Sequence, residues 1–244
     1  MRTDEQLGRD VRACKHWKVD LFAGERLSTL QKADNVLKGG PTYLAKSFSG
    51  HERNHLFLSN QGKQFTDFSG VSGTDSDADG RAFAYWDFDR DGWQDIAIVN
   101  ANAPLLNIYH NEIGRVSEGE YAGNILAIRF VGGNQKAAPS QFAPRDGYGA
   151  VVTVTAGDLS MLREHRCGEG FAAQNSDTML IGLGENTKAT KVNVRWSSGT
   201  TSDLQNIAAG SLVTVFEDAT QSPNGSGYSV ESYHRPVANI EQPE

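Results

Sequence analysis

The stretch Trp86-Asp87-Phe88-Asp89-Arg90-Asp91-Gly92-Trp93-Gln94-Asp95-Ile96-Ala97-Ile98-Val99-Asn100 decides how the rest of the chain is read. It sets four carboxylates at alternate positions around a forced turn, with strand-like apolar sequence on both sides. A hard cation, calcium above all, needs several oxygen ligands converging on one point. Alternate residues of a tightly curled loop can meet that need, and Gly92 supplies the bend without steric cost. In this reading Asp87, Asp89 and Asp91 give side-chain oxygens, Trp93 gives its carbonyl, and Asp95 is a ligand directly or through water. The competing reading is a solvated acidic turn with no metal. Its weakness is that four neighbouring carboxylates repel one another unless neutralised.

The flanks separate this loop from an EF-hand. An EF-hand carries a bidentate Glu at its twelfth position and helices on both sides. The twelfth position here is Ile98. Upstream, Ala82-Phe83-Ala84-Tyr85-Trp86 is aromatic-rich with rough alternation, and downstream the run is β-branched. Both favour strands, so the expected structure is a calcium loop inside a β-hairpin.

Outward from the loop, the chain reads as strands and turns. His55–Ser59, Arg81–Trp86, Asp95–Asn100 and Leu105–His110 make a first group. Asn124–Val131, Ala150–Ala156, Leu159–His165, Thr178–Leu183, Lys191–Trp196 and Ser211–Glu217 make a second. Gly, Asn and Asp mark nearly every junction, and many short strands with turn signals between them predict an all-β fold. One helix is expected, over Glu25–Leu37, where Leu27, Leu30, Ala33, Val36 and Leu37 recur at helical spacing before Gly39-Gly40-Pro41. The resulting division is an N-terminal segment over 1–45, a blade-like region with the calcium loop over 46–115, a compact β-sandwich or barrel over 124–218, and a mobile Ser/Pro/Asn/Gly-rich tail over 219–244.

A partial repeat supports blade-like units. Leu56-Phe57-Leu58-Ser59-Asn60-Gln61-Gly62 with Phe65-Thr66-Asp67 reads as an outer strand pair, and Ile108-Tyr109-His110-Asn111 echoes its start. About two blades of sequence fit here, whereas a closed propeller takes at least about four. The exposed edges therefore need cover from the second domain, the N-terminal segment or another chain, so a homo-oligomer is one expectation.

Composition narrows the function classes. A chain of 244 residues buries a substantial core, and a net charge of -7 argues against a nucleic-acid footprint while suiting a secreted or cation-binding surface. No apolar run is long enough to span a bilayer. Met1–Gln6 has no apolar core of a signal peptide, so either the protein is made without one or the chain starts inside a longer precursor. Cys14 and Cys167 fit one disulfide or two thiols, and neither has a neighbour at zinc-site spacing.

Three other clusters admit both a functional and a structural reading. Asp75-Ser76-Asp77-Ala78-Asp79-Gly80 repeats the first three ligand positions, with Phe83 at the ninth. It is either a weaker second metal site on Asp75, Asp77 and Asp79 or a polar turn. Glu164-His165-Arg166-Cys167-Gly168-Glu169 could hold an activated thiol, but activation needs a base and an orienting group that the sequence does not supply. On one strand His165 and Cys167, two apart, would share a face; the bland reading is a strand end and turn in which Cys167 packs and Glu169 pairs with Arg. His51-Glu52-Arg53-Asn54-His55 lacks the residue count of HExxH, and Arg53 is expected to pair with acids around the calcium loop.

Several ordered motifs together resemble a known family. They are Ser49-Gly50-His51-Glu52-Arg53-Asn54, Asp79-Gly80-Arg81-Ala82, the calcium loop and Asn102-Ala103-Pro104 in the first part. In the second they are Tyr148-Gly149-Ala150-Val151-Val152, Gly168-Glu169-Gly170-Phe171, Gln174-Asn175-Ser176, Ile181-Gly182-Leu183-Gly184 and Val194-Arg195-Trp196-Ser197-Ser198-Gly199. From about Ser49 to Phe216 the chain resembles secreted proteins that pair calcium-binding FG-GAP/VCBS propeller repeats with a C-terminal ASPIC/UnbV domain, the cartilage acidic protein-like family in its bacterial form. The resemblance implies bound calcium and an extracellular or periplasmic setting. It implies no activity, because the C-terminal domain has no established chemistry. Ser197 stands where the family has Pro, Cys167 stands where small residues are usual, and the upstream blades are missing. The expectation is a calcium-stabilised β-protein for protein or glycan recognition or adhesion. The alternative is a surface or cell-wall enzyme, or its accessory domain, using the Glu164–Glu169 region.

Overall fold

A computed structural model describes residues 17–21, 53–60, 62–101, 103–113 and 124–234. The helix expected over Glu25–Leu37 lies outside the described residues. Among the described residues the fold is all-β, and its helical elements are one turn at Ser69–Ser72 and a 3-10 turn at Ala219–Gln221. No helix there is long and apolar enough to cross a membrane. The chain divides into two compact units, one of Met1–Trp86, Trp93–Ala122 and Gly168–Gln174, the other of Asp87–Gly92, Gly123–Cys167 and Asn175–Glu244.

The first unit holds β1 (Trp17–Leu21), β2 (Phe57–Asn60), β3 (Gln64–Asp67), β4 (Gly80–Trp86), β5 (Asp95–Asn100) and β6 (Leu106–Asn111). β4, β5 and β6 form an antiparallel meander, and β1 pairs antiparallel with β6 to complete a four-stranded sheet in the order β1-β6-β5-β4. The β-branched run Ile96-Ala97-Ile98-Val99 places β5 in the middle of that meander. β1 lies in a segment that the sequence left without a strand, and it covers the outer edge of β6. β2 and β3 make a separate hairpin. The two halves of the partial repeat thus take different places. Phe57–Asn60 is a hairpin strand, while Ile108–Asn111 falls in β6 with a neighbour on each side. Among the described residues no closed propeller or barrel forms.

The second unit is built on two sheets. β7 (Asn124–Val131), β10 (Met179–Gly184), β13 (Ser211–Phe216) and β14 (Tyr228–Ser232) form one, in the order β10-β7-β13-β14. β8 (Val151–Ala156), β9 (Leu159–Glu164), β11 (Lys188–Arg195) and β12 (Thr201–Ala208) form the other, in the order β12-β11-β8-β9. One core joins them: Leu126, Ile128 and Phe130 of β7, Val213 and Val215 of β13, Val152 and Val154 of β8, Val192 and Val194 of β11, and Trp196. The arrangement is an open sandwich. β8 shows the physical origin of the pattern, since Val152, Val154 and Ala156 are buried while Val151, Thr153 and Thr155 alternate at half exposure. Each fully buried Val or Leu contributes about 1.5–3 kcal/mol of apolar burial. β7 buries both faces. Ile125 and Ala127 turn away from the main core into a small cluster with Leu212 and Tyr233.

The tail expected from residue 219 is ordered structure as far as residue 234. Asp218 caps the 3-10 turn by accepting a hydrogen bond from the Thr220 N–H at 3.0 Å, and β14 pairs with β13 so that Val230 lies opposite Val213. The Ser, Asn and Gly residues of 222–227 serve as a connection between paired strands rather than as the start of a tail. Residues 235–244 lie outside the described residues.

Glu217 ties three segments of the second unit together. One carboxylate oxygen accepts the Gly133 N–H at 2.9 Å and the Ala143 N–H at 2.7 Å; the other accepts the Ser198 hydroxyl and, at 3.0 Å, the Thr200 hydroxyl. Replacing Glu217 by Ala leaves two backbone donors unsatisfied. The expected loss is about 1–2 kcal/mol, read as a lower urea midpoint with an unchanged slope.

Four carboxyls among the described residues sit below the ordinary range. Asp67 is lowered first by the Ser69 hydroxyl, Asp146 first by its hydrogen bond from Arg145, Asp203 first by its hydrogen bond from Asn193, and Asp218 first by the Thr220 hydroxyl. A depressed folded-state value stabilises above the unfolded carboxyl value and loses that contribution as pH falls through the folded one. Acid unfolding followed by circular dichroism should therefore begin below about pH 4, and Asp218→Asn should flatten its onset.

Candidate metal centre

The acidic segment is the connection of a β-hairpin. Trp86 closes β4 opposite Asp95, the first residue of β5, and both flanks are strands. The flanking strands rule out the EF-hand arrangement. Arg90 and Gly92 take positive φ, +59° and +94°, which curls the chain between them. Gly92 has a second constraint, because a Cβ there would lie 3.3 Å from the His234 ring and 3.4 Å from Ile125. A non-glycine residue would meet both the backbone penalty and the crowding.

Asp87 organises the loop. Its Oδ1 accepts the Asp91 N–H at 3.1 Å, and its Oδ2 accepts the Gly92 N–H at 2.8 Å. Oδ2 also accepts the Tyr233 hydroxyl at 2.9 Å. His234 Nδ1 lies 3.1 Å from the Arg90 carbonyl, and the Arg90 guanidinium sits 6.0 Å from the centre of the Tyr233 ring. Burial pushes the Asp87 carboxyl up, hydrogen bonds from Gly92, Tyr233 and Asp91 pull it down, and the Asp89 charge adds to the rise. Burial, then the Asp87 carboxylate, drives the Tyr233 phenol well above its ordinary range, so it remains a donor.

Within the hairpin, Asp87, Asp89 and Asp95 each place one carboxylate oxygen within 4.8 Å of the others. Oxygens bound to one calcium ion at roughly 2.3–2.6 Å can be no more than about 5 Å apart, so the spacing fits a shared ion. The Asp87, Asp89 and Asp95 group offers oxygen donors alone, as a hard cation prefers, and a second group that shares Asp89 adds Asp91 and the His110 imidazole. Asp91 and Trp93 belong to the same bend, both half-buried. Asp95 is 1 % exposed; its Oδ1 accepts the Asn111 N–H at 2.8 Å and lies 4.0 Å from His110 Nε2. His110 Nδ1 in turn lies 3.9 Å from Glu112.

The second acidic cluster is arranged differently. Among the described residues, Asp75, Asp77 and Asp79 do not draw together as a three-carboxylate group. Asp75 is engaged by Arg53 at 2.6 Å, so Arg53 pairs here rather than with the hairpin loop as expected. Asp77 is exposed and Asp79 buried with φ of +51°, which points the run along a turn.

The Glu164–Glu169 segment has structural partners. β9 ends at Glu164, so His165 and Cys167 do not share a strand face. His165 is buried, its ring centroid 4.8 Å from those of Phe130 and Tyr148, with Nε2 3.1 Å from the Asp146 carbonyl. Cys167 is exposed. Arg166 pairs with Glu164 at 3.0 Å, and Glu169 accepts the Tyr85 hydroxyl at 3.1 Å. Cys14 lies outside the described residues.

Tyr233 and His234 are the residues that sequence reasoning missed. They lie more than a hundred residues beyond the loop, in a stretch read as tail, and no local spacing links them to it. Residues 141–222 match the model of the ASPIC and UnbV family. No curated protein matches the chain.

Proposed function

We propose that this is a calcium-stabilised binding protein of the cell exterior or periplasm, in which the hairpin loop holds Ca2+ and the protein surface recognises a protein or glycan. The observation that carries this reading is the convergence of Asp87, Asp89 and Asp95 in a loop that also holds Asp91. Bound calcium would supply the positive charge these carboxylates lack. Asp87, Asp89 and Asp91 would contribute side-chain oxygens, Trp93 its carbonyl, and Asp95 an oxygen directly or through water. The chain's own contribution is to fix the donors. Trp86 and Asp95 close the hairpin, and Gly92 and Tyr233 hold the Asp87 carboxylate.

The match over residues 141–222 and the resemblance to FG-GAP/VCBS repeats upstream support the extracytoplasmic setting. The hairpin-bearing region would then be blade-like, and a second copy of the chain is one way to cover its edges. Isothermal titration calorimetry with CaCl2 on chelator-stripped protein tests the core of the reading. One saturable site, lost in Asp89→Ala, supports it. Absence of binding heat at several temperatures overturns it.

A further inference from the structure

We propose that Tyr233 is a positioning residue for the cation site, coupling calcium affinity to the seating of the C-terminal strand β14. The inference rests on the calcium reading above and extends it to a residue outside the loop.

Asp87 Oδ2 has two donors, the Gly92 N–H at 2.8 Å and the Tyr233 hydroxyl at 2.9 Å, while Oδ1 has only the longer bond from the Asp91 N–H at 3.1 Å. With Oδ2 held twice, the carboxylate cannot rotate freely, and Oδ1 keeps the greater spare acceptor capacity. The loop's own amides supply two of those bonds and move with the loop. Tyr233 supplies the third from a fixed base. Its ring is 3 % exposed and packed with Ile125, Ala127 and Leu212. Its backbone N–H donates to the Gly210 carbonyl at 2.9 Å, and it directly follows β14, which pairs with β13. His234 adds a contact at the carbonyl of Arg90, a non-glycine residue of the turn that takes positive φ. A hydrogen bond to a charged acceptor that pre-orients a ligand lowers the ordering cost of binding. By reciprocity, a bound cation that orders Asp87 must favour the seated form of Tyr233 and β14 by the same factor.

Tyr233→Phe keeps the ring and removes only the hydroxyl. Calcium affinity is read by calorimetry and, independently, by competition against Tb3+ luminescence. The expected result is a Kd about tenfold weaker than wild type. In an Asp87→Asn background the same substitution should change Kd less than twofold, because the effect acts through that carboxylate. A purely structural tyrosine would lower the melting temperature equally in both backgrounds and leave Kd alone. Hydrogen exchange gives the reciprocal readout: calcium should slow exchange at the β14 amides in wild type and much less in Tyr233→Phe. If wild type binds calcium and Tyr233→Phe binds it within twofold as tightly, the positioning role is overturned while the site stands. If wild type does not bind, the calcium reading fails first. Should Tyr233→Phe fold poorly, His234→Ala serves as the second variant, expected to weaken Kd by a smaller factor; an unchanged Kd there counts against the coupling.

Discussion

Calcium in excess raises the melting temperature of the wild-type chain and leaves that of Asp89→Ala where the chelator puts it: this is the expected result of scanning calorimetry on both proteins. The size follows from linkage. At free calcium about one hundred times Kd, a ligand bound only by the folded state stabilises by about 2.7 kcal/mol. For a chain of this size that amounts to a rise of roughly 5–10 °C. Asp89 is the informative position because it belongs to the group with Asp87 and Asp95, while Asp95 already accepts the Asn111 N–H and Asp87 holds the loop backbone. Removing Asp89 therefore subtracts a charge from the group while the hydrogen bonds that Asp87 accepts from the loop and Asp95 from Asn111 keep their partners. Asp77→Ala is the matched control: its side chain lies in the other acidic run, is exposed, and should leave the calcium gain intact. Magnesium at equal concentration should give a smaller gain, since it demands near-ideal octahedral geometry and sheds water reluctantly. Equal melting temperatures with calcium and with chelator would mean that the hairpin tolerates its carboxylates unaided.

The hairpin was legible because its information is local. Alternating carboxylates, a glycine at the bend and apolar strands on both sides all fall within fifteen residues, and the positive φ at Gly92 is what that pattern asks for. The core strands β8, β10, β11 and β13 were legible for the same reason, as their buried residues recur in short apolar runs. β12 was not. Its sequence Thr-Ser-Asp-Leu-Gln-Asn-Ile-Ala is mostly polar, and Asn206 takes φ of +56°, so Leu204 and Ile207 are both buried although three apart. Two-residue alternation does not detect such a strand. β14 follows a Gly-rich connection and exposes most of its residues; its identity as a strand comes from pairing with β13. β1 likewise is defined by its partner β6. The same limit hid Tyr233. A residue that reaches the site through tertiary packing leaves no periodic trace beside the residues it serves.

Trp196→Ala should be the most damaging single change in the second unit, costing about 3–5 kcal/mol. Trp196 is fully buried in the core that joins the two sheets. Its ring meets Phe130 edge-on, with centroids 6.1 Å apart and planes at 85°, and its Nε1–H donates to the Ser202 hydroxyl at 2.9 Å. Its backbone closes the β11–β12 turn, taking the Thr200 carbonyl at 2.9 Å and accepting the Gly199 N–H at 2.9 Å. Truncation therefore opens a cavity between the sheets and strands a hydroxyl, whereas the backbone turn survives. Trp196→Phe fills part of the volume and should cost about half as much. A cycle with Ser202→Ala separates the terms: in the Trp196→Phe background, removing the Ser202 hydroxyl should cost little, since its donor has already gone. Denaturant unfolding followed by far-ultraviolet circular dichroism measures the four proteins of the cycle and Trp196→Ala. A loss below about 1 kcal/mol for Trp196→Ala would contradict the shared core, because sheets packed independently would not feel one side chain between them. The same experiment also bears on the metal loop. Tyr233, Ile125 and Leu212 occupy the opposite face of β7 from the Trp196 core. Calcium affinity measured on the folded fraction of Trp196→Phe should stay near wild type even as stability falls.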